Sequence, residues 1–179
     1  MKEIRERRSI RHYKEKEVED SLVEQLLESA RLAPSGSNTQ PWNFVVVRNR
    51  ETIEKLAWAT HRQKWLAMAP MLLVCVADSR SRFHDDVFRP VDDYSGLPEL
   101  KMMIRDCAIA MEHVALEAQH LGLGTCFACW FEQKDVRPVL NVPEDCYIVG
   151  LIAVGYPDEA PKERPRKSLQ EMVRYEMWQ

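Results

Sequence analysis

Basic residues stand together near both ends of the chain, and they could bind a phosphate group. The first group is Arg7-Arg8-Ser9-Ile10-Arg11, and the second is Arg164-Pro165-Arg166-Lys167. Guanidinium groups donate paired hydrogen bonds to phosphate oxygens. The two groups could meet on one dianion if the fold brought the chain ends together. The alternative for either group is a solvated basic surface.

A nucleic-acid-binding arm is a further alternative for the first basic group. Acidic residues follow it directly, at Glu15, Glu17, Glu19 and Asp20, and the whole chain carries a net charge of −3. Nucleic-acid-binding domains concentrate positive charge on one face or along one helix. We therefore expect no nucleic-acid partner.

Amides and hydroxyls are concentrated in residues 34–42 (PSGSNTQPW), between a predicted helix and a predicted strand. Asn38 and Gln40 each offer hydrogen-bond donors and acceptors, which suits the edge of a heteroaromatic ring that carries both. The prolines and small residues make this segment a loop. The alternative is a turn that serves only its own local hydrogen bonds.

Cys126 and Cys129 form a C-x-x-C pair, which could be a redox pair or half of a zinc site. No second C-x-x-C or nearby histidine pair completes a metal site, and no four-cysteine iron–sulfur spacing is present, so we expect no metal. On a strand, side chains three positions apart point to opposite faces, which argues against a disulfide. Two packed small residues are the preferred interpretation.

The spacing of apolar residues predicts the elements that position these groups. Four segments are predicted helices: residues 18–33, 51–67, 100–121 and 135–140. Four are predicted strands: residues 42–47, 71–77, 125–131 and 147–155. The helix of residues 100–121 has the widest apolar stripe, so it should be buried on more than one side. This order of elements indicates a mixed α+β fold.

The length of 179 residues suits one domain over residues 1–179, with a loop and a tail that lack periodic structure. Residues 78–99 are polar and irregular, which is typical of a lid, a partner-binding arm or a disordered segment. Three aromatic residues of this loop are candidates to cover a ligand: Phe83, Phe88 and Tyr94. The proline-rich tail of residues 156–179 should be an extended arm that packs on its own domain or on a second subunit.

Apolar runs and cysteines indicate the compartment. No run approaches the roughly 18–20 apolar residues of a membrane-spanning helix, and residues 1–12 lack the apolar stretch of a secretory signal. The five cysteines are odd in number, which favours reduced thiols over a disulfide framework. We expect a cytoplasmic protein with no membrane partner.

Several motifs together, in this order, resemble the FMN-dependent nitroreductase family over nearly the whole chain. They are Arg7-Arg8-Ser9-Ile10-Arg11, Ala33-Pro34-Ser35, Asn38-Thr39-Gln40-Pro41-Trp42, Gly122-Leu123-Gly124-Thr125, and Gly155-Tyr156-Pro157 with the basic tail. The resemblance implies an α+β fold in which helices, with a long buried one at the centre, flank a mostly antiparallel sheet. It also implies an interlocked homodimer with two FMN sites at the subunit interface.

The resemblance further implies roles for individual residues. Arg7, Arg8 and Ser9 would hold the phosphate and ribityl chain together with Arg164 and Arg166. Arg11 would lie near the pyrimidine edge of the flavin, and Lys64 would be a second cationic contact. The partner subunit would supply the remaining loop contacts: Pro34, Ser35, Ser37 and Asn38. The segment of residues 127–130, including Ala128 and Cys129, would offer backbone groups near the flavin N5.

The activity that the resemblance implies is hydride transfer from NADH or NADPH through flavin N5 to nitroaromatics, quinones or related acceptors, by a ping-pong mechanism. No side chain is nominated as catalytic, because the FMN carries the chemistry. Reductive dehalogenation or flavin-destroying chemistry is an alternative within the family fold. A flavin-binding carrier or sensor without turnover, and a nucleic-acid binder without flavin, are alternatives of other classes.

Overall fold

An antiparallel sheet of four strands lies at the centre of the chain, for which a computed structural model describes residues 1–83 and 87–178. The strands are β1 (Trp42–Val47), β2 (Met71–Asp78), β3 (Gly124–Ala128) and β4 (Cys146–Gly155). They lie side by side in the order β1-β2-β4-β3. Each pair of neighbours is antiparallel, which confirms the sheet that the resemblance implied.

Both faces of the sheet are buried, because its central strands are apolar along their length. In β2, Leu73 and Cys75 contribute to one core, and Leu72 and Val74 contribute to the other. This alternation follows from the strand geometry, in which successive side chains point to opposite faces. The apolar run that predicted β2 therefore belongs to a strand covered on both sides.

Six helices lie in the described part of the chain, and four of them cover the two faces of the sheet. They are α1 (Lys2–Glu6), α2 (Asp20–Arg31), α3 (Arg50–Ala59), α4 (Pro98–His120), α5 (Gln133–Leu140) and α6 (Leu169–Met172). The first core lies between the sheet and helices α2 and α4, and the second lies between the sheet and helices α3 and α5. Helix α4 is the predicted long buried helix. Among residues 1–83 and 87–178, no helix is long and apolar enough to cross a membrane.

The segment after α1 runs alongside the end of the sheet and joins the two ends of the chain. Ile10 N–H donates to the Thr125 carbonyl at 2.9 Å, and Lys14 N–H donates to the Tyr156 carbonyl at 2.9 Å. A Cβ at position 124 would lie 2.6 Å from Ile10 Cγ1, so only glycine lets this segment approach β3 so closely. The fold therefore places Arg7–Arg11 next to the residues that follow β4.

The predicted helix over residues 51–67 is wrong as a single element. Helix α3 ends at Ala59, and a separate 3₁₀ turn covers Lys64–Met68. Between them His61 and Arg62 have positive φ values of 53° and 58°. The Thr60 hydroxyl donates to the Ala57 carbonyl at 3.1 Å, a local bond that competes with helix continuation. No proline or glycine marks this break, so the sequence did not reveal it.

The irregular region is shorter than residues 78–99, and residues 84–86 of that lid prediction lie outside the described residues. Asp78 ends β2, a 3₁₀ turn covers Ser79–Ser81, and α4 starts at Pro98. In the tail, residues 159–168 belong to no helix or strand. The short helix α6 was not predicted. A capping box between Ser168 and Glu171 starts it.

Candidate functional site

A cavity of about 270 Å³ opens where the two ends of the chain meet. We call it the arginine cavity, and its lining residues are Arg7, Arg8, Ser9, Arg11, His12, Glu159, Pro161, Lys162, Arg164 and Arg166. The structure therefore brings together the two basic groups that the sequence separates. Six residues of these two groups were expected to contact the phosphate, ribityl chain or pyrimidine edge of a flavin. All six lie in the lining of the cavity.

Main-chain hydrogen bonds fix the shape of the arginine cavity. Glu159 Oε1 accepts the N–H of Arg11 at 2.5 Å and the N–H of His12 at 3.1 Å. The His12 carbonyl in turn accepts the N–H of Asp158 at 3.0 Å. The tail thus docks on the N-terminal segment through contacts that leave the guanidinium groups available for a ligand.

Positive charge dominates the arginine cavity. Its cationic side chains are Arg7, Arg8, Arg11, Lys162, Arg164 and Arg166, and Glu159 is the carboxylate among the lining residues. Arg8 is held in place because its Nη1 donates to the carbonyls of Arg5 at 2.7 Å and Arg7 at 2.8 Å. The carboxylate of Glu163 lies 3.8 Å from Arg8 Nη2, which is a long ion-pair distance. Preorganised guanidinium donors with surplus positive charge fit a phosphate dianion.

A row of aromatic and polar side chains leads away from the arginine cavity. The Arg11 guanidinium lies over the Trp65 ring, 5.4 Å from its centroid, and the exposed Lys64 precedes Trp65. Further along, the rings of His61 and Trp130 stack with centroids 4.5 Å apart and a tilt of 37°. We call His61, Lys64, Trp65 and Trp130 the aromatic row. Flat side chains and one cation suit a planar ring with an anionic edge.

The segment after β3 lies beside the aromatic row, which includes Trp130. Ala128 is buried, whereas Cys129 is exposed. Gln63 Nε2 lies 3.5 Å from the Trp130 carbonyl, which ties this segment to the turn before Lys64. Trp130 is thus placed beside the start of the 3₁₀ turn that covers Lys64–Met68.

Cys126 and Cys129 face different surroundings, and both are free thiols. Burial raises the pKa of the Cys126 thiol, which lies near Ser9 and Arg11, and burial also raises the pKa of the Cys129 thiol. The Cys129 sulfur packs against Gly150, where an added Cβ would lie 2.8 Å from it. Raised pKa values disfavour the thiolate, so neither cysteine has the character of a redox nucleophile. Among the described residues, no cluster of metal-ligating side chains is found.

The loop residues that were expected at the flavin lie far from the arginine cavity within one chain: Pro34, Ser35, Ser37 and Asn38. Trp42, just after this loop, pairs with Ala77, which pairs with Tyr147 near the start of β4. Gly124, beside the arginine cavity, pairs with Gly155 at the end of β4. At a strand rise of about 3.3 Å per residue, these two positions on β4 are about 26 Å apart. One chain therefore does not bring the loop and the arginine cavity together.

Sequence reasoning missed three residues that organise these regions. Glu159 anchors the tail on the N-terminal segment. Arg82 and Asp106 form an ion pair beside the loop of residues 34–41. Each contact joins positions that are remote in the sequence, so no local motif marks it. A lone acidic residue after a glycine-tyrosine-proline turn, and a charged residue within the apolar stripe of α4, were the only signals.

Comparison with known proteins gives a consistent family assignment. The sequence profile of the nitroreductase family matches residues 4–156. A Thermus thermophilus protein named NADH dehydrogenase is 32% identical over an alignment of 186 positions, which spans 93% of this chain and 91% of that protein. A Bacillus subtilis protein named FMN reductase [NAD(P)H] is 27% identical over 174 residues, covering 93% and 69%.

Solved structures show the same relationship. The structure of NfrA2 from B. megaterium superposes with a TM-score of 0.88 and 27% sequence identity, and the match covers 99% of this chain and 74% of that one. The antiparallel sheet with flanking helices described above is therefore the fold of that protein as well.

Proposed function

The chain belongs to the nitroreductase family, and from this premise we propose that it is an FMN-dependent oxidoreductase that uses NADH or NADPH. The observation that carries the proposal is the arginine cavity, in which basic residues from both ends of the chain surround one space. A family profile alone does not say whether a phosphate site is built. The relative named FMN reductase [NAD(P)H] supports both the cofactor and the reductant.

The phosphate and the adjoining ribityl chain would lie in the arginine cavity. Arg7, Arg8, Arg164 and Arg166 would bind phosphate oxygens, and the Ser9 hydroxyl would add a hydrogen bond. Arg8 is already oriented by main-chain carbonyls, so little side-chain freedom would be lost on binding. Glu159 would keep its carboxylate on the Arg11 and His12 N–H groups and thereby hold the arm closed.

The isoalloxazine ring would lie along the aromatic row, with Arg11 and Lys64 near its pyrimidine edge. Cations at that edge would stabilise the negative charge that the ring gains on reduction. The chemistry that FMN supplies when bound is hydride transfer through N5, from a nicotinamide to a second substrate. No protein side chain needs to act as nucleophile, so Ala128 and Cys129 would contribute backbone contacts.

A homodimer would complete each site. Within one chain, residues 34–38 and the arginine cavity are at opposite ends of β4. The partner subunit would therefore supply Pro34, Ser35, Ser37 and Asn38 to the flavin of its neighbour. The exposed apolar side chains of the tail, such as Tyr175 and Trp178, support a role of residues 156–179 as an arm that packs on the partner.

The acceptor would share the pocket of the nicotinamide, which predicts ping-pong kinetics with nitroaromatics, quinones or related acceptors. Phe88 and Tyr94 are exposed and remain candidates for a lid over that pocket. Single-domain organisation and a cytoplasmic location complete the proposal. The free cysteines support the latter, because secreted proteins of this size usually oxidise theirs.

The test is optical. Protein incubated with FMN and desalted should be yellow, and NADH or NADPH should bleach it under anaerobic conditions. A nitroaromatic or a quinone should then restore the oxidised spectrum. Protein that stays colourless contradicts any flavin role, and bound flavin that is not bleached indicates a carrier or sensor. Loss of the flavin absorbance on reoxidation indicates flavin-destroying chemistry.

A further inference from the structure

An ion pair with little solvent exposure holds both peptide groups of Gly36. Arg82 Nη2 lies 3.0 Å from Asp106 Oδ2, and the two side chains are 10% and 12% exposed. Both Asp106 carboxylate oxygens lie 3.3 Å from the Gly36 N–H nitrogen. Arg82 Nη2 also donates to the Gly36 carbonyl at 3.4 Å. One ion pair therefore contacts both the donor and the acceptor of a single residue, whose carbonyl also accepts the Thr39 hydroxyl at 3.1 Å.

The contact between Gly36 and Arg82 depends on the absence of a side chain. A Cβ at position 36 would lie 2.6 Å from Arg82 Nη2. Asp106 belongs to the rigid helix α4, so the guanidinium is confined between the helix and the loop. The position of Gly36 is thus set by the packing of Arg82 on Asp106.

The residues after Gly36 adopt backbone conformations that need external support. Ser37 and Asn38 have φ values of 54°, and Gln40 has a φ of 47°. Non-glycine residues rarely adopt such conformations, which persist where surrounding contacts fix them. The Ser35 hydroxyl accepts the Gln40 N–H at 2.9 Å inside the loop. The Arg82–Asp106 pair is the contact that ties the strained loop to α4.

The geometry of Arg82 favours a positioning role over a stabilising one. Its Nε is buried and has no hydrogen-bond partner among the described residues. A buried donor without a hydrogen-bond partner lowers the stability of the folded state. A buried ion pair often stabilises the folded state less than well-packed apolar side chains would in its place. The arrangement satisfies Gly36 at the expense of Arg82 itself.

We propose that Arg82 and Asp106 are positioning residues that set the loop of residues 34–41 for its ligand. This inference rests on the proposed function, in which Pro34, Ser35, Ser37 and Asn38 contact the FMN bound at the partner's arginine cavity. In this role neither charged residue needs to touch that ligand. They act through Gly36, whose backbone orients the residues on either side.

The test compares variants that remove the pair without leaving a buried charge. Arg82→Met with Asp106→Leu replaces both charges by apolar side chains, so the apparent Tm should stay within a few degrees of the wild type. The Kd for FMN should nevertheless rise at least tenfold. Arg82→Met with Asp106→Asn keeps an amide oxygen for the Gly36 N–H and should recover part of the loss. Arg80→Met is the matched control, because Arg80 pairs with Asp78 and does not contact Gly36.

A second measurement needs no flavin. Hydrogen exchange of the apoprotein should increase at residues 34–41 when Arg82→Met is combined with Asp106→Leu, and exchange in α3 should stay unchanged. Gly36→Ala, which displaces Arg82 without altering charge, should have the same two effects. Wild-type exchange and wild-type FMN affinity in these variants would overturn the proposal, as would equal losses in the Leu and Asn variants. If the wild type binds no FMN, the proposed function fails, and the exchange result alone decides the positioning role.

Discussion

The Glu159 carboxylate accepts the main-chain N–H of Arg11 and so joins the C-terminal arm to the N-terminal basic segment across 148 positions of sequence. The same oxygen accepts the His12 N–H. Because these bonds go to the main chain, they set the distance between the two basic groups without neutralising a guanidinium by a direct side-chain pair. The phosphate affinity of the arginine cavity should therefore depend on a residue that carries negative charge.

Glu159 should be more important as a hydrogen-bond acceptor than as a charge. We expect Glu159→Ala to lower the free energy of unfolding by about 2 kcal/mol, since hydrogen bonds to a charged group are lost. FMN binding should weaken about tenfold, because the arm is released. Glu159→Gln keeps the acceptor and removes a negative charge, so it should bind FMN at least as tightly as the wild type. Titration of flavin fluorescence and urea denaturation measure the two effects, and equal weakening in both variants would contradict this role.

The basic residues of the arginine cavity should contribute to binding and little to folding. Arg8→Ala with Arg166→Ala should weaken FMN binding by about 3 kcal/mol or more, because charge-assisted bonds to phosphate are removed. The Tm should change less than the FMN affinity does, since Arg166 donates only long bonds of 3.4 Å to the carbonyls of Arg164 and Pro165. The two bonds that Arg8 would lose reach the carbonyls of Arg5 and Arg7 in its own N-terminal segment. Arg50→Ala, in the exposed pair with Glu54 on α3, is the control. Full flavin occupancy in the double variant would show that the phosphate binds elsewhere.

Mixed dimers should reveal whether two chains share each site. One variant lacks the arginines (Arg8→Ala with Arg166→Ala), and the other lacks the loop side chains (Ser37→Gly with Asn38→Gly). Glycine retains the positive φ of 54° at both loop positions without strain. A heterodimer would have one site with both defects and one with neither, so an equal mixture should regain flavin at about a quarter of all sites. No recovery after subunit exchange would contradict a site shared between subunits.

Acid stability should depend on Glu19. Tyr156 Oη donates to Glu19 Oε2 at 2.5 Å, and Lys16 Nζ lies 3.1 Å from Oε1. The hydrogen bond from Tyr156 is the main cause that lowers the pKa of Glu19 from 4.5 to about 2. Because the folded-state pKa is below the unfolded one, the stabilisation is present above pH 4.5 and is lost as the pH falls toward 2.

Two variants check this pH dependence. The Tm advantage of the wild type over Glu19→Gln should shrink between pH 4.5 and pH 2. Tyr156→Phe removes the main cause and should reduce the same advantage, with Glu28→Gln as a control for an exposed carboxylate paired locally with Arg31. A Tm difference that does not vary over this range would show that the Glu19 bonds do not form in solution.

Cys129 should react with alkylating agents before the other four thiols, but slowly, because burial of its sulfur raises the pKa of the thiol. It is the exposed cysteine, whereas Cys75, Cys107, Cys126 and Cys146 are buried. If residues 128–130 lie along the flavin, saturating FMN should slow the labelling of Cys129. Mass spectrometry after brief exposure to iodoacetamide measures both effects, with Cys129→Ser as the unlabelled control. Labelling that FMN leaves unchanged would remove Cys129 from the site.

The sequence predicted β1, β2, β4 and the long helix closely, because each depends on a local apolar pattern. Strand β3 ends at Ala128, three residues before the end of the predicted strand over residues 125–131. The long helix was predicted to end at residue 121, and α4 ends at His120, shortly before Gly122 with its φ of 75°. The break after Ala59 was not predictable, since no proline or glycine marks it and the residue types of His61 and Arg62 do not indicate their positive φ values. Local propensity is a weak guide where packing fixes the backbone.

The candidate site shows the same division. Arginines suited to phosphate were recognisable from residue type, and the structure gathers them in one cavity. The contacts that orient the site were not recognisable, because Glu159, Arg82 and Asp106 act on main-chain groups far along the chain. A carboxylate that accepts a distant N–H leaves no spacing pattern for the sequence to display.

Strand β4 would connect the two FMN sites of the proposed homodimer. It starts near the loop of residues 34–41, which would contact one flavin, and ends beside the arginine cavity, which would bind the other. Each protomer would then contact both cofactors of the dimer, one at each end of this rigid strand. Loss of one cofactor would remove one ligand contact from both protomers at once, so the second cofactor should dissociate more readily than the first.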